Sequence, residues 1–216
     1  MIWLVIGSGP SAPEWLKRVG GWTHSITCNA GIKLCPNPDF YLAVDQIANR
    51  EYRVQAEKAQ ASGTKLVTLA REPSAMKERG TTGYDIKITE DPRALPHVGG
   101  YGRFRYSGPL MLEVACNHGA TELHLVGFDG YRKDSVAYFD ESDRLWADEE
   151  YWLRNRRERL EMTHVVSEEA MGRVANAWSH CRFVVHGPSR FVVNSPNWMG
   201  ADQWSSNIES PAPHSR

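Results

Sequence analysis

A chain of 216 residues can bury one good core, so the sequence predicts a single domain with a lid or second lobe and excludes two large domains. With 25 basic against 26 acidic residues and a net charge of -1, no overall field favours a nucleic acid or a membrane surface, and a charged partner must be met locally. The longest apolar run, Ile2 to Ile6, falls far short of the ~20 residues of a membrane span and lacks a signal-peptide pattern, while Cys28, Cys35, Cys116 and Cys181 have neither C-x-x-C nor zinc-type spacing, so reduced thiols in a cytoplasmic setting are expected.

Trp3-Leu4-Val5-Ile6 has no alternation and stops at Gly7-Ser8-Gly9-Pro10-Ser11, the pattern of a strand buried on both faces of a parallel sheet and followed by a turn. Strand-length, β-rich runs follow at Ser25 to Cys28, Phe40 to Val44, Lys65 to Leu69, Asp85 to Ile88, Leu123 to Val126 and Arg182 to Val185. Between them, Glu51 to Ala61 and Pro109 to Asn117 have helical composition and spacing, with Gly119 as a stop. Ser167 is expected to open a third helix carrying Glu168 and Glu169 in its first turn. Strand and helix alternation of this kind predicts an α/β fold: a Rossmann-like, doubly wound, mainly parallel sheet.

The expected organisation is a nucleotide-binding core over 1–130, a helical lid or acceptor-side insertion over 131–165, a final helix and strand over 166–204 completing the core, and a loose Ser/Pro-rich tail over 205–216. Within the insertion, Arg154, Arg156, Arg157 and Arg159 could meet an anionic acceptor, but the interleaved Glu149, Glu150, Glu158 and Glu161 favour a solvated, salt-bridged helix. His97, His118, His124, His180 and His186 form no metal-ligand spacing and read as structural.

Candidate site residues cluster after the strands. Glycine at Gly7 and Gly9 lets a phosphate approach the backbone amides of a turn, and Pro10 and Ser11 complete that turn. The same residues also satisfy a loose G-x-G-x-x-A dinucleotide pattern, or simply make a tight strand-to-helix turn. The dinucleotide pattern calls for an acid after the second strand, and Asn29 stands there instead, offering both a donor and an acceptor to a base or ribose. Ser107-Gly108-Pro109 precedes a helix, where Ser107 can cap it or the free amides can hold an anion; Arg103 and Arg105 upstream favour the anion. Asp129 and Asp45 follow predicted strands, where open α/β sheets bind ligands, although an Asp there is also a common turn former.

Taken in order, these residues resemble the bacterial sialyltransferases of glycosyltransferase family 42 and the wider Rossmann-like group that includes archaeal 6-hydroxymethylpterin diphosphokinases. Val5 to Ser11 is similar to the family's first-strand nucleotide turn, Cys28-Asn29 to its Cys-Asn, Ser107-Gly108 through Gly119 to its Ser-Gly helix, and Leu125 to Asp129 to its Gly-x-Asp strand end. Tyr131 and Tyr138 resemble its paired phosphate-holding tyrosines, His164 its catalytic-base histidine, and Cys181 to Ser189 its last strand and Pro-Ser turn. The arginine that the family places before its Ser-Gly is matched only by Arg103 and Arg105, out of register. The stretch from Gly31 to Asp39 is short, and the second histidine and Asn-Thr-Asp expected near His164 are missing.

The resemblance implies a glycosyltransferase with a CMP-linked, sialyltransferase-like donor and a hydroxyl acceptor, inverting and without metal or other cofactor. In it Tyr131 and Tyr138 stabilise the departing phosphate and His164 takes the acceptor proton. Two other activities stay open: an ATP- and Mg²⁺-dependent pyrophosphokinase, in which Asp45 and Asp129 turn toward the metal, and a catalytically silent nucleotide-binding protein. Self-association into a homo-oligomer is also left open.

Overall fold

The computed structural model describes residues 1–43, 52–69, 86–88, 106–130 and 149–200. Eight strands form one sheet: β1 (Ile2–Ile6), β2 (His24–Cys28), β3 (Phe40–Leu42), β4 (Lys65–Leu69), β5 (Ile86–Ile88), β6 (Glu122–Val126), β7 (Arg182–His186) and β8 (Trp198–Gly200). Their order is β5-β4-β3-β2-β1-β6-β7-β8, and every neighbouring pair is parallel. This is the expected doubly wound α/β sheet, with β8 added to the strands that the sequence pattern predicts. The described helices are α1 (Ala12–Trp15), α2 (Gly31–Leu34), α3 (Arg53–Ala61), α4 (Ser107–Asn117) and α5 (Glu149–Ala177).

The apolar run of β1 divides between two cores because successive side chains point to opposite faces. Trp3 and Val5 join Ile26, Leu42, Leu123, Leu125 and Phe183 beneath α4 and α5, which contribute Leu110, Met111, Val114, Met171 and Val174, with Trp178 following α5. Leu4 and Ile6 pack on the other face with Ala12, Val19 and Val126. Burial of β1 on both sides explains its continuous hydrophobicity. Farther out on that second face, Ala56 and Ala59 of α3 pack with Ile32, Tyr41 and Leu66.

Two helix starts differ from expectation. Ser167 does not open a helix: α5 runs unbroken from Glu149 to Ala177, through the expected boundary between insertion and core. What begins at Ser167 is a buried stripe of Ser167, Ala170, Met171, Val174, Ala175 and Trp178 at helical spacing. The sequence signal marked where the helix meets the core, not where it starts. The side chains of Arg154, Arg156, Arg157 and Arg159 lie outside the described residues, as do 131–148 of the expected insertion and the tail. In α4, Tyr106 rather than Ser107 holds the cap position, in extended conformation, and no side chain caps the helix. Pro109 is therefore the third helical residue, within the first turn and among the residues whose N–H lacks an intrahelical partner.

From β1 the chain lays down β2 to β5 on one side, then returns to place β6, β7 and β8 on the other. The reversal between β1 and β6 is a topological switch point, and open α/β sheets bind their ligands at the carboxyl ends of the strands beside such a point.

Candidate functional site

At the switch point the turns after β1 and β6 interlock. The Gly7 N–H donates to Val126 O at 2.8 Å and the Gly9 N–H to Gly127 O at 3.0 Å. A Cβ on Gly7 would lie 2.6 Å from Gly127 O, and one on Gly9 would lie 1.9 Å from Asp129 Oδ2. Gly127, at φ +75°, leaves no room for a Cβ either, which would be 2.8 Å from both Ala12 Cβ and Gly7 O. Glycine is thus required at 7, 9 and 127 by the contact of one turn with the other, a reason distinct from the approach of a ligand.

Asp129 closes this arrangement. Its carboxylate accepts the Ser11 N–H, with Oδ1 at 3.3 Å and Oδ2 at 3.4 Å. Burial pushes the Asp129 carboxyl above its usual value, while hydrogen bonds from Ser11 pull it back. Pro10 stays exposed at the tip of the turn, beside the half-buried Gly9 and Ser11.

Asn29 ends β2 on the same rim. It is the described non-glycine residue with positive φ, at +47°, a conformation that asparagine tolerates better than most side chains. Its backbone carbonyl accepts the Tyr41 hydroxyl at 3.4 Å, whereas its side-chain Oδ1 is buried without a hydrogen-bond partner. A buried orphan acceptor costs about 1–3 kcal/mol, so this amide is held at a cost that the fold itself does not recover. Next along the rim, α4 starts at Ser107 and Gly108, and the position of a Gly108 Cβ is 3.5 Å from the Phe128 ring, beside the β6 turn. The N–H groups of Ser107 and Gly108 point out of the helix start, with the positive end of the helix dipole behind them.

His164 reaches the rim from α5. Its imidazole lies parallel to Phe191, with ring centroids 4.7 Å apart and an interplanar angle of 9°. The ring also approaches Gly130, at φ +81°, where a Cβ would lie 2.9 Å from His164 Cε1 and 3.0 Å from Nδ1. The loop carrying Phe191 is pinned to the β6 turn, since Ser189 Oγ donates to Phe128 O at 2.7 Å and the Arg190 N–H donates to Asp129 O at 3.1 Å. It is also pinned to α5, where the Val192 N–H donates to Glu168 Oε2 at 2.6 Å. That same carboxylate oxygen is 3.7 Å from His164 Nε2.

Of the residues singled out in the sequence, Gly7, Gly9, Pro10, Ser11, Asn29, Ser107, Gly108, Asp129 and His164 therefore come to one edge of the sheet. Asp45, Arg103, Arg105, Tyr131 and Tyr138 lie outside the described residues. Glu168, Ser189 and Phe191 are additions from the tertiary structure. Only the i, i+4 spacing of His164 and Glu168 on one helix could have signalled the first of them.

Two histidines with no metal-type spacing nevertheless meet. His124 Nδ1 is 2.7 Å from His186 Nε2, and His124 Nε2 is 2.9 Å from Glu122 Oε1, whose other oxygen pairs with Arg182 at 2.5 Å. Burial, together with the neighbouring His124, pulls His186 down to about 4. His97 lies outside the described residues, and His180 is exposed. Among the described residues no group of three or more His, Cys, Asp or Glu side chains is arranged to hold a metal ion, and no helix is long and apolar enough to cross a membrane.

The fold is shared with a glycosyltransferase. The MAf glycosyltransferase from Magnetospirillum magneticum AMB-1 superposes with a TM-score of 0.51 at 16% identity, over 97% of this chain and 34% of that one. This chain thus spans about a third of the length of that protein. The sialyltransferase CstII from Campylobacter jejuni, solved with the substrate analogue CMP-3FNeuAc, aligns at 11% identity and a TM-score of 0.49, over 90% of this chain and 83% of that one. No protein-family model and no curated protein matches the sequence.

Proposed function

We propose that this protein is a glycosyltransferase that takes a sugar from a nucleotide-activated donor, CMP-linked and sialic-acid-like, and passes it to an acceptor hydroxyl with inversion and without a metal. The observation that carries the reading is the packing of His164 against Gly130, next to Asp129 at the β1/β6 switch point. A proton acceptor thereby stands on the rim where open α/β sheets hold nucleotides. The ordered resemblance of the rim residues to family 42 supports the choice of a cytidine donor.

In this reading the orphan Oδ1 of Asn29 gains a donor from the nucleoside, and Asp129 faces its hydroxyls. The start of α4 at Ser107 and Gly108 faces the phosphate. Gly7, Gly9, Pro10 and Ser11 form the wall beneath, and Asp45, Arg103 and Arg105 complete the nucleotide side. The imidazole of His164 takes the proton of the acceptor hydroxyl while that oxygen bonds to the anomeric carbon. The bond from the anomeric carbon to the donor phosphate oxygen breaks in the same step, and the nucleotide monophosphate leaves with the electron pair. Tyr131 and Tyr138 stabilise the charge growing on that phosphate.

Thermal shift against CMP, CDP, UDP, GDP and ATP, each with and without Mg²⁺, tests the donor class. Metal-independent stabilisation by a cytidine nucleotide is expected, and stabilisation by Mg-ATP alone would sink the reading in favour of a pyrophosphokinase. Tight nucleotide binding without donor turnover would mark a silent binding protein. His164→Ala is expected to abolish transfer and to leave nucleotide binding intact; undiminished turnover in that variant removes His164 from the chemistry.

A further inference from the structure

We infer that Arg190 is the acceptor-binding cation of the site: it receives an oxyanion, carboxylate or phosphate, that the acceptor carries close to the hydroxyl being glycosylated. The inference deepens the reading of the protein as a glycosyltransferase with His164 as its base, and rests on it.

The place of Arg190 along the sheet carries it. In the strand order β2-β1-β6-β7, Asn29 follows β2, the turn from Gly7 to Ser11 follows β1, Asp129 and Gly130 follow β6, and Arg190 follows β7. The nucleotide wall thus occupies the β2 and β1 side of the rim and Arg190 the β7 side, with His164 packed against Gly130 between them. An acceptor hydroxyl approaching His164 from the β7 side keeps clear of the nucleotide, and on that side it meets Arg190.

Gly130 brings the imidazole and the arginine together. A Cβ at this glycine would lie 2.9 Å from His164 Cε1 and 3.2 Å from Arg190 Cβ, so the ring and the root of the arginine side chain converge on one point. That root is fixed. The Arg190 N–H donates to Asp129 O at 3.1 Å, and Ser189 Oγ donates to Phe128 O at 2.7 Å while accepting the Phe191 N–H at 3.3 Å. Beyond its root the side chain runs into solvent, since Arg190 is exposed.

The charges of this stretch give the arginine its role. Asp129 and Glu168 place two carboxyl groups beside the imidazole, with Glu168 Oε2 3.7 Å from His164 Nε2. They repel an anionic acceptor unless a cation offsets them. Between β7 and β8, Arg190 is the one lysine or arginine in the sequence. Its planar fork matches a carboxylate or a phosphate with two parallel hydrogen bonds, which fixes orientation as well as charge. An acceptor held in this way presents its neighbouring hydroxyl to His164.

The test uses the full chain with CMP present. NMR of the arginine Nε–H signals at pH 6 follows titration with galacturonate, with galactose 6-phosphate and with neutral galactose. Arg190→Gln assigns the Arg190 signal, and Arg18, exposed after α1, reports unspecific association. The two acids are expected to move the Arg190 signal and to leave that of Arg18 in place, whereas galactose moves neither. The acid that acts at the lower concentration tells carboxylate from phosphate. Equal shifts at Arg190 and Arg18, or no shift at Arg190, overturn the inference.

Turnover gives a second readout. With a CMP-linked sialic acid as donor, the ratio of kcat/KM for galacturonate over galactose is expected to fall about tenfold in Arg190→Gln, as for the loss of one charge-assisted contact. Arg190→Lys should keep part of that ratio, and added salt should raise the wild-type KM for galacturonate. An unchanged ratio in Arg190→Gln, or a loss confined to the donor KM, places the arginine outside the acceptor site and overturns the inference. If the wild type transfers no sugar, the glycosyltransferase reading fails, while the titration still decides whether Arg190 holds an oxyanion.

Discussion

The two ends of the sheet are finished differently. Where the strands begin, Trp3, His24, Phe40 and His118 form a packed aromatic group, with Trp3 and Phe40 stacked at 5.4 Å and the Phe40 and His118 rings tilted against each other at 4.8 Å. Lys65 covers Phe40, and Asp39 accepts the N–H of Ser25 at 2.7 Å. Where the strands end, glycine turns interlock, Asn29 takes a left-handed backbone, and a carboxylate and an imidazole are left on the rim. Each end holds a buried orphan polar atom, Trp3 Nε1 at one and Asn29 Oδ1 at the other. The first belongs to a side chain packed against the His24, Phe40 and His118 rings; the second lies at the carboxyl end of β2. One end is closed by packed rings, and the other carries tight glycine turns and unpaired polar atoms on its rim.

Glycine substitutions should break this contrast most strongly. Gly9→Ala brings a Cβ to 1.9 Å from Asp129 Oδ2 and 2.5 Å from Gly127 O, and about 3 kcal/mol of stability should be lost. Gly20→Ala, in the loop entering β2, meets nothing within 4 Å and should change stability by no more than ~0.5 kcal/mol. Denaturant titration of both variants gives the comparison directly, and equal losses would contradict it.

The orphan atoms sharpen the contrast next. Asn29→Gly keeps a residue that accepts φ +47° and removes the unpaired acceptor, so stability should move by less than ~1 kcal/mol. Nucleotide affinity should fall about tenfold, as for the loss of one good hydrogen bond at ~1.4 kcal/mol. Trp3→Phe should lower stability through lost packing and leave nucleotide affinity unchanged. Calorimetric titration with the nucleotide that stabilises the wild type separates the two, and an affinity loss in Trp3→Phe would undo the division of labour.

The smallest expected effects are on pH dependence, and the two ends should respond in opposite directions. At the carboxyl end, the native state binds the Asp129 proton more tightly than the unfolded chain does, at about 3.9. Its stabilising contribution is present below that value and is lost as pH rises through the raised native value. Asp129→Asn should therefore be neutral or stabilising at pH 7, because the amide oxygen still accepts the Ser11 N–H. At the amino end, burial, Lys65 and His24 pull His118 down. Its contribution is present above the unfolded value of about 6.5 and is lost as pH falls from there. Melting temperatures from pH 4 to 8 should show a shallower acid loss in His118→Gln and a steeper one in Asp129→Asn; parallel profiles would contradict both assignments.

The strands were legible from the continuous apolar run of β1 and from strand-length, β-rich segments elsewhere, and seven of the eight are found where those segments stand. The eighth, Trp198–Gly200, has no such run. It is intermediate in exposure at every position and gains its place by pairing with β7. The four-residue helices α1 and α2 were equally silent, being shorter than the period that reveals a helix. At Ser167 the local pattern misled, since the onset of a buried stripe and the start of a helix look alike in one dimension. The Glu122-His124-His186 chain was hidden for another reason: β6 and β7 are joined by a long crossover, so residues that touch across a parallel pair lie far apart in sequence.

What the sequence determined by itself was the alternation of strand and helix, the glycines after β1 and β6, and an asparagine where a dinucleotide site would carry an acid. Local patterning suffices for these because strand burial and turn geometry are set by residues within a few positions of one another. Only the tertiary structure decided that Gly7 and Gly9 face Gly127 and Asp129, that Asn29 keeps an unpaired oxygen, and that His164 stacks on Phe191 and approaches Gly130, with Glu168 Oε2 3.7 Å from Nε2. Apart from His164 and Glu168, which share one helix, those contacts join residues from 27 to 120 positions apart, and the parallel order of the sheet brings them together at one rim.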